Sequence, residues 1–244
     1  MAVDVHAHLT EIKNVEALLR TKKVLPVASG YSHQENMKTV ELAKNLDLPF
    51  SIGIAPQIAQ HGFKQEWVNY IKAQNPNAIG EIGLDNHWAR TEEHKKLQGE
   101  CFEQMLDIAE KKNLPVVIHS RESMDEILEI LIQRKFPNIV MFHFYSGEKK
   151  HAKLALKHLD AYFSIPPLHS KGRRDAILEA GLERVVVETD SPYIVRTFLE
   201  VEKSLVYVSE ILGKRKEEVE MKTAENAAKI FKLSMEKVLA YKIF

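Results

Sequence analysis

Residues 3–9 read VDVHAHL, in which Asp4, His6 and His8 alternate with Val3, Val5, Ala7 and Leu9. On a strand, side chains two positions apart share a face. One face of this strand then carries a carboxylate and two imidazoles, and the other is wholly apolar. Seven more runs rich in Val and Ile follow: KVLPVASG (23–30), PFSIGIAP (49–56), NAIGEIGLD (77–85), LPVVIHSR (114–121), IVMFHFYS (139–146), DAYFSI (160–165) and RVVVETDSP (184–192). Between them lie stretches with helical spacing of apolar residues, such as ESMDEILEILIQRK and EKKHAKLALKHL. Eight strands alternating with helices predict an α/β protein, a closed (β/α)8 TIM barrel. An open doubly wound sheet is the rival. His6, His8, Glu81, His119, His143 and Asp190 all lie in or at the C-terminal ends of their runs. A barrel brings those ends to one mouth, whereas an open sheet strings them along an edge.

The chain has 244 residues, with 34 Lys and Arg against 34 Asp and Glu. Zero formal charge argues against a protein that coats duplex DNA, because such proteins are basic. It leaves room for an enzyme that grips a short substrate with a local patch. No linker, low-complexity segment or composition shift divides the chain, so residues 1–244 read as one domain. The tail from Lys214 onward reads as helical, packed on the outside of the barrel. The single cysteine, Cys101, excludes an intramolecular disulfide and reads as a small buried side chain of an amphipathic helix. A first strand at Val3 leaves no room for a secretory leader, and no apolar run nears the ~20 residues of a membrane span. The expectation is a soluble cytoplasmic protein with no membrane partner and no evident obligate protein partner.

Six buried polar groups at one mouth need partners, because burying an unpaired carboxylate or imidazole is costly. Divalent cations satisfy all of them most simply. Four imidazoles and two carboxylates suit zinc, manganese, iron or cobalt better than an all-oxygen site does. Six protein ligands are too many for one catalytic ion, which must keep positions open. Two ions, with Glu81 as the natural bridge, fit better.

VDVHAHL, GEIGLD, IHSR, HFYSG and ETDSPY, together with the late ENAAKIF, resemble in order the motifs of the TatD-related metal-dependent hydrolases of the amidohydrolase superfamily. The likeness runs from residue 3 to about residue 231. It implies a barrel with two divalent ions (zinc, manganese or magnesium) and a hydrolytic activity, most often removal of nucleotides from DNA ends. Carried onto this chain, His6, His8 and Asp190 would hold one ion, His119 and His143 the other, and Glu81 would bridge. Asp190 would also orient or deprotonate the attacking water, so Asp190 and Glu81 are the expected catalytic pair. The partner implied is nucleic acid, entered at a single-strand end.

Three departures bear on substrate. The family's Gly-x-His-Pro-His pattern after strand three is GIAPQ here, with Ala55 and Gln57 in place of histidines. HFYSG replaces His-Cys-Phe-Ser-Gly, and the segment IVRTFLEVEK after ETDSPY is shorter and plainer than in relatives. An amide or ester hydrolase, such as one acting on a misacylated aminoacyl-tRNA or a small cyclic amide, is the alternative reading. A carboxylated-lysine bridge is excluded, since strand five has no lysine at the ligand position. A non-catalytic scaffold stabilised by metal is the third reading, and it predicts collapse on metal removal.

Around the mouth, Arg121 is expected to share the inward face of His119 and clamp an anion, an ion pair with Glu122 or Glu148 being the alternative. Asp4 is expected to sit deeper and fix a ligand, with Asp85 and Glu188 in similar support. Trp88 and Tyr193 are candidates to stack on a base. Lys149, Lys150, Lys171, Arg173, Arg174 and Arg196 would form a positive rim. His33, His61, His87 and His169 are expected as solvated loop residues, and His94, His151 and His158 as solvent-facing helical ones.

Overall fold

The computed structural model describes residues 2–241. Eight strands form one parallel sheet in chain order: β1 (Ala2–Ala7), β2 (Val24–Ser29), β3 (Phe50–Ile52), β4 (Ala78–Asp85), β5 (Val116–Arg121), β6 (Val140–Phe142), β7 (Ala161–Ile165) and β8 (Val185–Val187). All eight predicted strands are present, though β3, β6 and β8 are only three residues long. The helices are α1 (Val15–Leu19), α2 (His33–Leu46), α3 (Pro56–Ala59), α4 (Gln65–Ala73), α5 (Glu92–Lys112), α6 (Met124–Gln133), α7 (Lys149–His158), α8 (Lys171–Ala180), α9 (Glu202–Leu212), α10 (Lys216–Phe231) and α11 (Met235–Leu239). The arrangement is a single (β/α)8 barrel. The predicted helical tail becomes α10 and α11, with α10 packed against β1 and β8; residues 242–244 lie outside the described residues.

Closure happens beyond the last strand. Ala7 bridges Ser191, the His8 N–H donates to the Ser191 carbonyl (2.8 Å), and the Asp190 N–H donates to the His6 carbonyl (3.0 Å). Asp4 reinforces this seam. Its buried carboxylate accepts from the Thr189 hydroxyl (2.5 Å), the Thr189 N–H (3.0 Å) and the His6 N–H (3.2 Å). Asp4 therefore sits deep, as expected, and supports the site through backbone, by holding the N–H of His6 and of Thr189 beside Asp190.

Two bulges set the site. Between Asp4 and Ala7, β1 carries one residue more than its partner segment on β2, and β4 does the same against β5 between Ile79 and Ile82. A bulge re-aims side chains and breaks strict alternation. His6 and Glu81 lie within these irregular segments. Further along β4, Gly83 lies at φ +140°, and a Cβ there would sit 2.0 Å from the His119 carbonyl oxygen. Only glycine lets the two strands approach this closely.

Among the described residues no helix is long and apolar enough to cross a membrane. Cys101 is buried in α5, where burial pushes its thiol up to about 12. His151 departs from expectation. It is buried at the start of α7, accepting from the Glu148 N–H (2.9 Å) and meeting Asp125 at 3.0 Å, so it caps the helix instead of facing water.

Candidate metal centre

The C-terminal ends of β1, β4, β5, β6 and β8 bring His6, His8, Glu81, His119, His143 and Asp190 together. His6 Nε2 lies 3.3 Å from His8 Nε2, 3.8 Å from Glu81 Oε2 and 3.9 Å from Asp190 Oδ1, and His8 Nε2 lies 3.4 Å from the same Asp190 oxygen. On the other side, His119 Nδ1 is 2.7 Å from Glu81 Oε1. Three overlapping groups can each hold an ion: His6, His8 and Glu81; His6, His143 and Asp190; and Glu81, His119 and His143. Glu81, His6 and His143 each belong to two of them, and of these only Glu81 has two carboxylate oxygens to offer. His143 also reaches the first side, where its ring stacks on His6 at 3.7 Å between centroids.

In three of the four rings the outer nitrogen is fixed by a partner outside the cluster, which turns the other nitrogen inward. His143 Nδ1 is held by Glu188 (2.9 Å), which also accepts from the Phe144 N–H (2.7 Å) and the Ser164 hydroxyl (2.6 Å). His119 Nε2 is held by Asp85 (2.9 Å), and His8 Nδ1 by the Ser29 carbonyl (3.1 Å). Such partners set the tautomer and orientation of a ligating imidazole. Asp85 and Glu188 thus take the supporting places expected for them. Gln57, on α3, joins this network: its amide nitrogen donates to Asp85 (3.0 Å) and lies 3.0 Å from His119 Nε2. Ala55 is buried and precedes α3.

This donor set fits divalent cations. Donors around an ion with bonds of ~2.0–2.2 Å lie roughly 3–4 Å apart, as these do. His6 and His8 point ring nitrogens at one another while buried, so something positive must lie between them, and His6 Nδ1 has no hydrogen-bond partner. Without an ion, protons do this work. Burial opposes a charge on His143, but Glu188 overrides it, with help from Asp190 and Glu81, and its pKa rises to about 10. His119 rises to about 9 against the same burial, through Asp85 and Glu81. Glu81 drops to about 2, because its bond to His119 and the charges of His119, His143 and His8 outweigh desolvation. His6 is pushed well below its ordinary value by burial, then by His143, His8 and His119. A divalent ion held by these residues would take the place of those protons.

The cluster opens into a cavity of about 590 Å³, a size usual for small-ligand sites. Arg121 and Tyr193 stand on its rim. No carboxylate lies within ion-pair distance of Arg121 among the described residues, so the Glu122 and Glu148 alternative fails; Glu122 meets His87 instead, at 3.2 Å. Tyr193 places its ring 5.0 Å from that of His8, and its hydroxyl donates to Glu11 (2.9 Å).

Three of the six residues of the expected positive rim are engaged within the fold. Lys149 pairs with Glu179 (2.8 Å) and Lys150 with Asp125 (3.4 Å), while Arg173 is buried against Phe144 and donates to the Leu168 carbonyl. His33 and His169 stack on Trp67 and Tyr207, so neither is simply solvated. Sequence reasoning missed Glu11 and Tyr31, which share the Tyr193 bond; an exposed glutamate in a short turn carries no signal that would have found it.

A (β/α)8 barrel with histidines and carboxylates clustered at its mouth has the arrangement of a metal-dependent hydrolase. The chain belongs to the TatD-related family: the family model described as "TatD related DNase" matches residues 3–232. It is 32% identical to the uncharacterized metal-dependent hydrolase MJ1582 of Methanocaldococcus jannaschii, over 94% of this chain and 96% of that protein. It is 31% identical to the human deoxyribonuclease TATDN3 over 63% of this chain and 59% of that one. Among solved structures, the TatD homolog YJJV of Escherichia coli superposes with a TM-score of 0.84 at 19% identity, covering 96% of this chain and 98% of the other.

Proposed function

We propose that this enzyme hydrolyses phosphodiester bonds of nucleic acid, working inward from an exposed single-strand end with two divalent ions. The observation that carries the reading is the pair of donor groups sharing Glu81 at the floor of a cavity with an unpaired guanidinium, Arg121, on its rim. His6, His8 and Asp190 would hold one ion, His119 and His143 the other, with Glu81 between them. Imidazole-rich donors favour zinc or manganese over magnesium. When bound, such ions supply Lewis acidity and make water a nucleophile near neutral pH.

The chain's own residues do the rest. Asp190 lies at the mouth, with 14% of its side chain exposed, and is placed to orient the attacking water and take up its proton. Arg121 neutralises charge developing on the phosphoryl oxygens. Asp85 and Glu188 keep the His119 and His143 rings turned so that their inner nitrogens face the cavity. Phe144, Ile58 and Ile194 line the cavity with apolar surface.

The test is a substrate panel on metal-stripped protein with defined added ions: a labelled single strand, a duplex, an RNA and a carboxylic ester, with His119→Ala as control. Progressive release of mononucleotides from the single strand is expected. Activity on the ester alone would replace this reading with an amide or ester hydrolase. Activity that survives complete metal removal would refute both.

A further inference from the structure

The two sides of the cavity mouth differ in charge and chemistry. On the β1–β2 side, Tyr31 and Tyr193 close over His8, and both donate to Glu11 (3.1 and 2.9 Å). Nearby, Glu35 accepts from Thr10 and Lys38, both at 2.7 Å. Phenols, not cations, satisfy Glu11, so this side is acidic and braced.

The β4–β5 side is the reverse. Trp88 is 46% exposed, and the guanidiniums of Arg90 and Arg121 each lie 5.9 Å from its ring. Among the described residues neither arginine has a carboxylate within ion-pair distance. The nearby acids are engaged elsewhere, Glu122 with His87 (3.2 Å) and Glu126 with Asn86 (3.2 Å). Each cation–π contact contributes about 0.5–1 kcal/mol at such an exposed site, but the exposed indole and the mutual repulsion of two unpaired guanidiniums work against it, so the grouping adds little to the fold. It does match what a single strand presents, a flat base flanked by two phosphates.

This rim is rigid and tied to the metal centre. Asp85 accepts from the Trp88 N–H (3.1 Å) through one oxygen and from His119 through the other. The Asn86 N–H donates to the Arg121 carbonyl (2.9 Å), and its side chain donates to the Glu122 carbonyl (2.9 Å), strapping the turn after β4 onto the end of β5. Arg121 lines the main cavity together with His119 and also lines a second one, of about 560 Å³, which shares Ser120, Arg121 and Ser146 with the first. That second cavity is walled by Glu122, Asp125, Glu126 and Glu148 and lined by neither Trp88 nor Arg90, so a strand seated on Trp88 would pass over the rim and not through it.

We propose that Trp88, Arg90 and Arg121 form the seat for the strand leading to the bond that is cut: a base stacks on Trp88, and the phosphates on either side of it lie against the two guanidiniums. The strand then lies over the β4–β5 rim, and only its terminal unit enters the cavity, halted by the Glu11-braced tyrosines. This rests on the phosphodiesterase reading above.

The experiment measures anisotropy of a labelled short oligothymidylate titrated with EDTA-treated protein, so that binding is read without cleavage. Trp88→Ala should weaken binding about tenfold or more, the loss of one base–aromatic stack. Arg90→Ala should weaken it and lower the slope of log affinity against log salt by about one. In Trp67→Phe, where Trp88 is the remaining indole, the oligonucleotide should quench the fluorescence. If the wild-type protein cleaves the strand while both rim variants bind it as tightly as wild type, the seat is refuted and the nuclease reading stands. If the wild-type protein neither binds nor cleaves any oligonucleotide, the nuclease reading falls and the seat with it.

Discussion

Glu188→Gln exchanges one carboxylate oxygen for an NH2 group at the meeting point of three donors. Glu188 is fully buried and accepts from His143 Nδ1, the Phe144 N–H and the Ser164 hydroxyl at 2.6–2.9 Å. An amide offers one acceptor oxygen, so either the Phe144 N–H or the His143 and Ser164 pair must face another donor. One buried donor left unsatisfied costs about 1–3 kcal/mol. Losing the charged partner of His143 adds a comparable amount, for about 3 kcal/mol in all. In a chain of this length that lowers the melting temperature by about 6–12 °C. The pH dependence is specific. His143 titrates at about 10 in the folded, ion-free protein and near 6.5 when unfolded. Its pairing with Glu188 therefore contributes fully below pH ~6.5 and fades as pH rises through about 10. The deficit of the variant should shrink over that window, as read by thermal melts of EDTA-treated protein. Zinc affinity, measured against a competing chelator, should fall about 10–100-fold because the ring loses its orienting partner. A deficit that does not change with pH, together with unaltered zinc affinity, would refute the role given to Glu188.

Gly83→Ala would force a Cβ to within 2.0 Å of the His119 carbonyl oxygen at a positive φ; a loss of roughly 2 kcal/mol or more in urea unfolding is expected, and unchanged stability would show that β4 and β5 can separate freely. Zinc added to stripped protein at pH 7 should displace protons from His119 and His143, whose pKa values lie at about 9 and about 10. Calorimetric enthalpies should then differ between buffers of unlike ionisation heat, and affinity should rise with pH; identical enthalpies in all buffers would contradict the proton-filled cluster. Cys101, buried and with its thiol pushed up to about 12, should resist a thiol reagent until the chain unfolds. Rapid labelling of native protein would contradict its place in the core.

The six clustered side chains were legible because each breaks an apolar run within it or at its C-terminal end, and a barrel leaves such residues only one place to meet. Asp85 and Glu188 were legible for the same reason, though nothing in their spacing tells which histidine each would hold. Asp4 was legible as a deep support for the site, but not that it acts through the backbone N–H groups of His6 and Thr189. His151 was misread because its position on α7 does not reveal the buried cap it makes with Glu148. The basic residues after strands five to eight were visible as charges, but not their pairing with Glu179 and Asp125, which come from helices far along the chain.

By itself the sequence determined the barrel, the chemistry of its mouth and the family, because alternation, run length and residue type are local properties that survive in one dimension. Only the tertiary structure decided which ring nitrogen faces the ions, which side of the mouth is braced by Glu11, and which arginines stay unpaired beside Trp88. Those outcomes depend on a few ångströms of register between strands and on side chains that meet across loops. A linear pattern does not encode such distances.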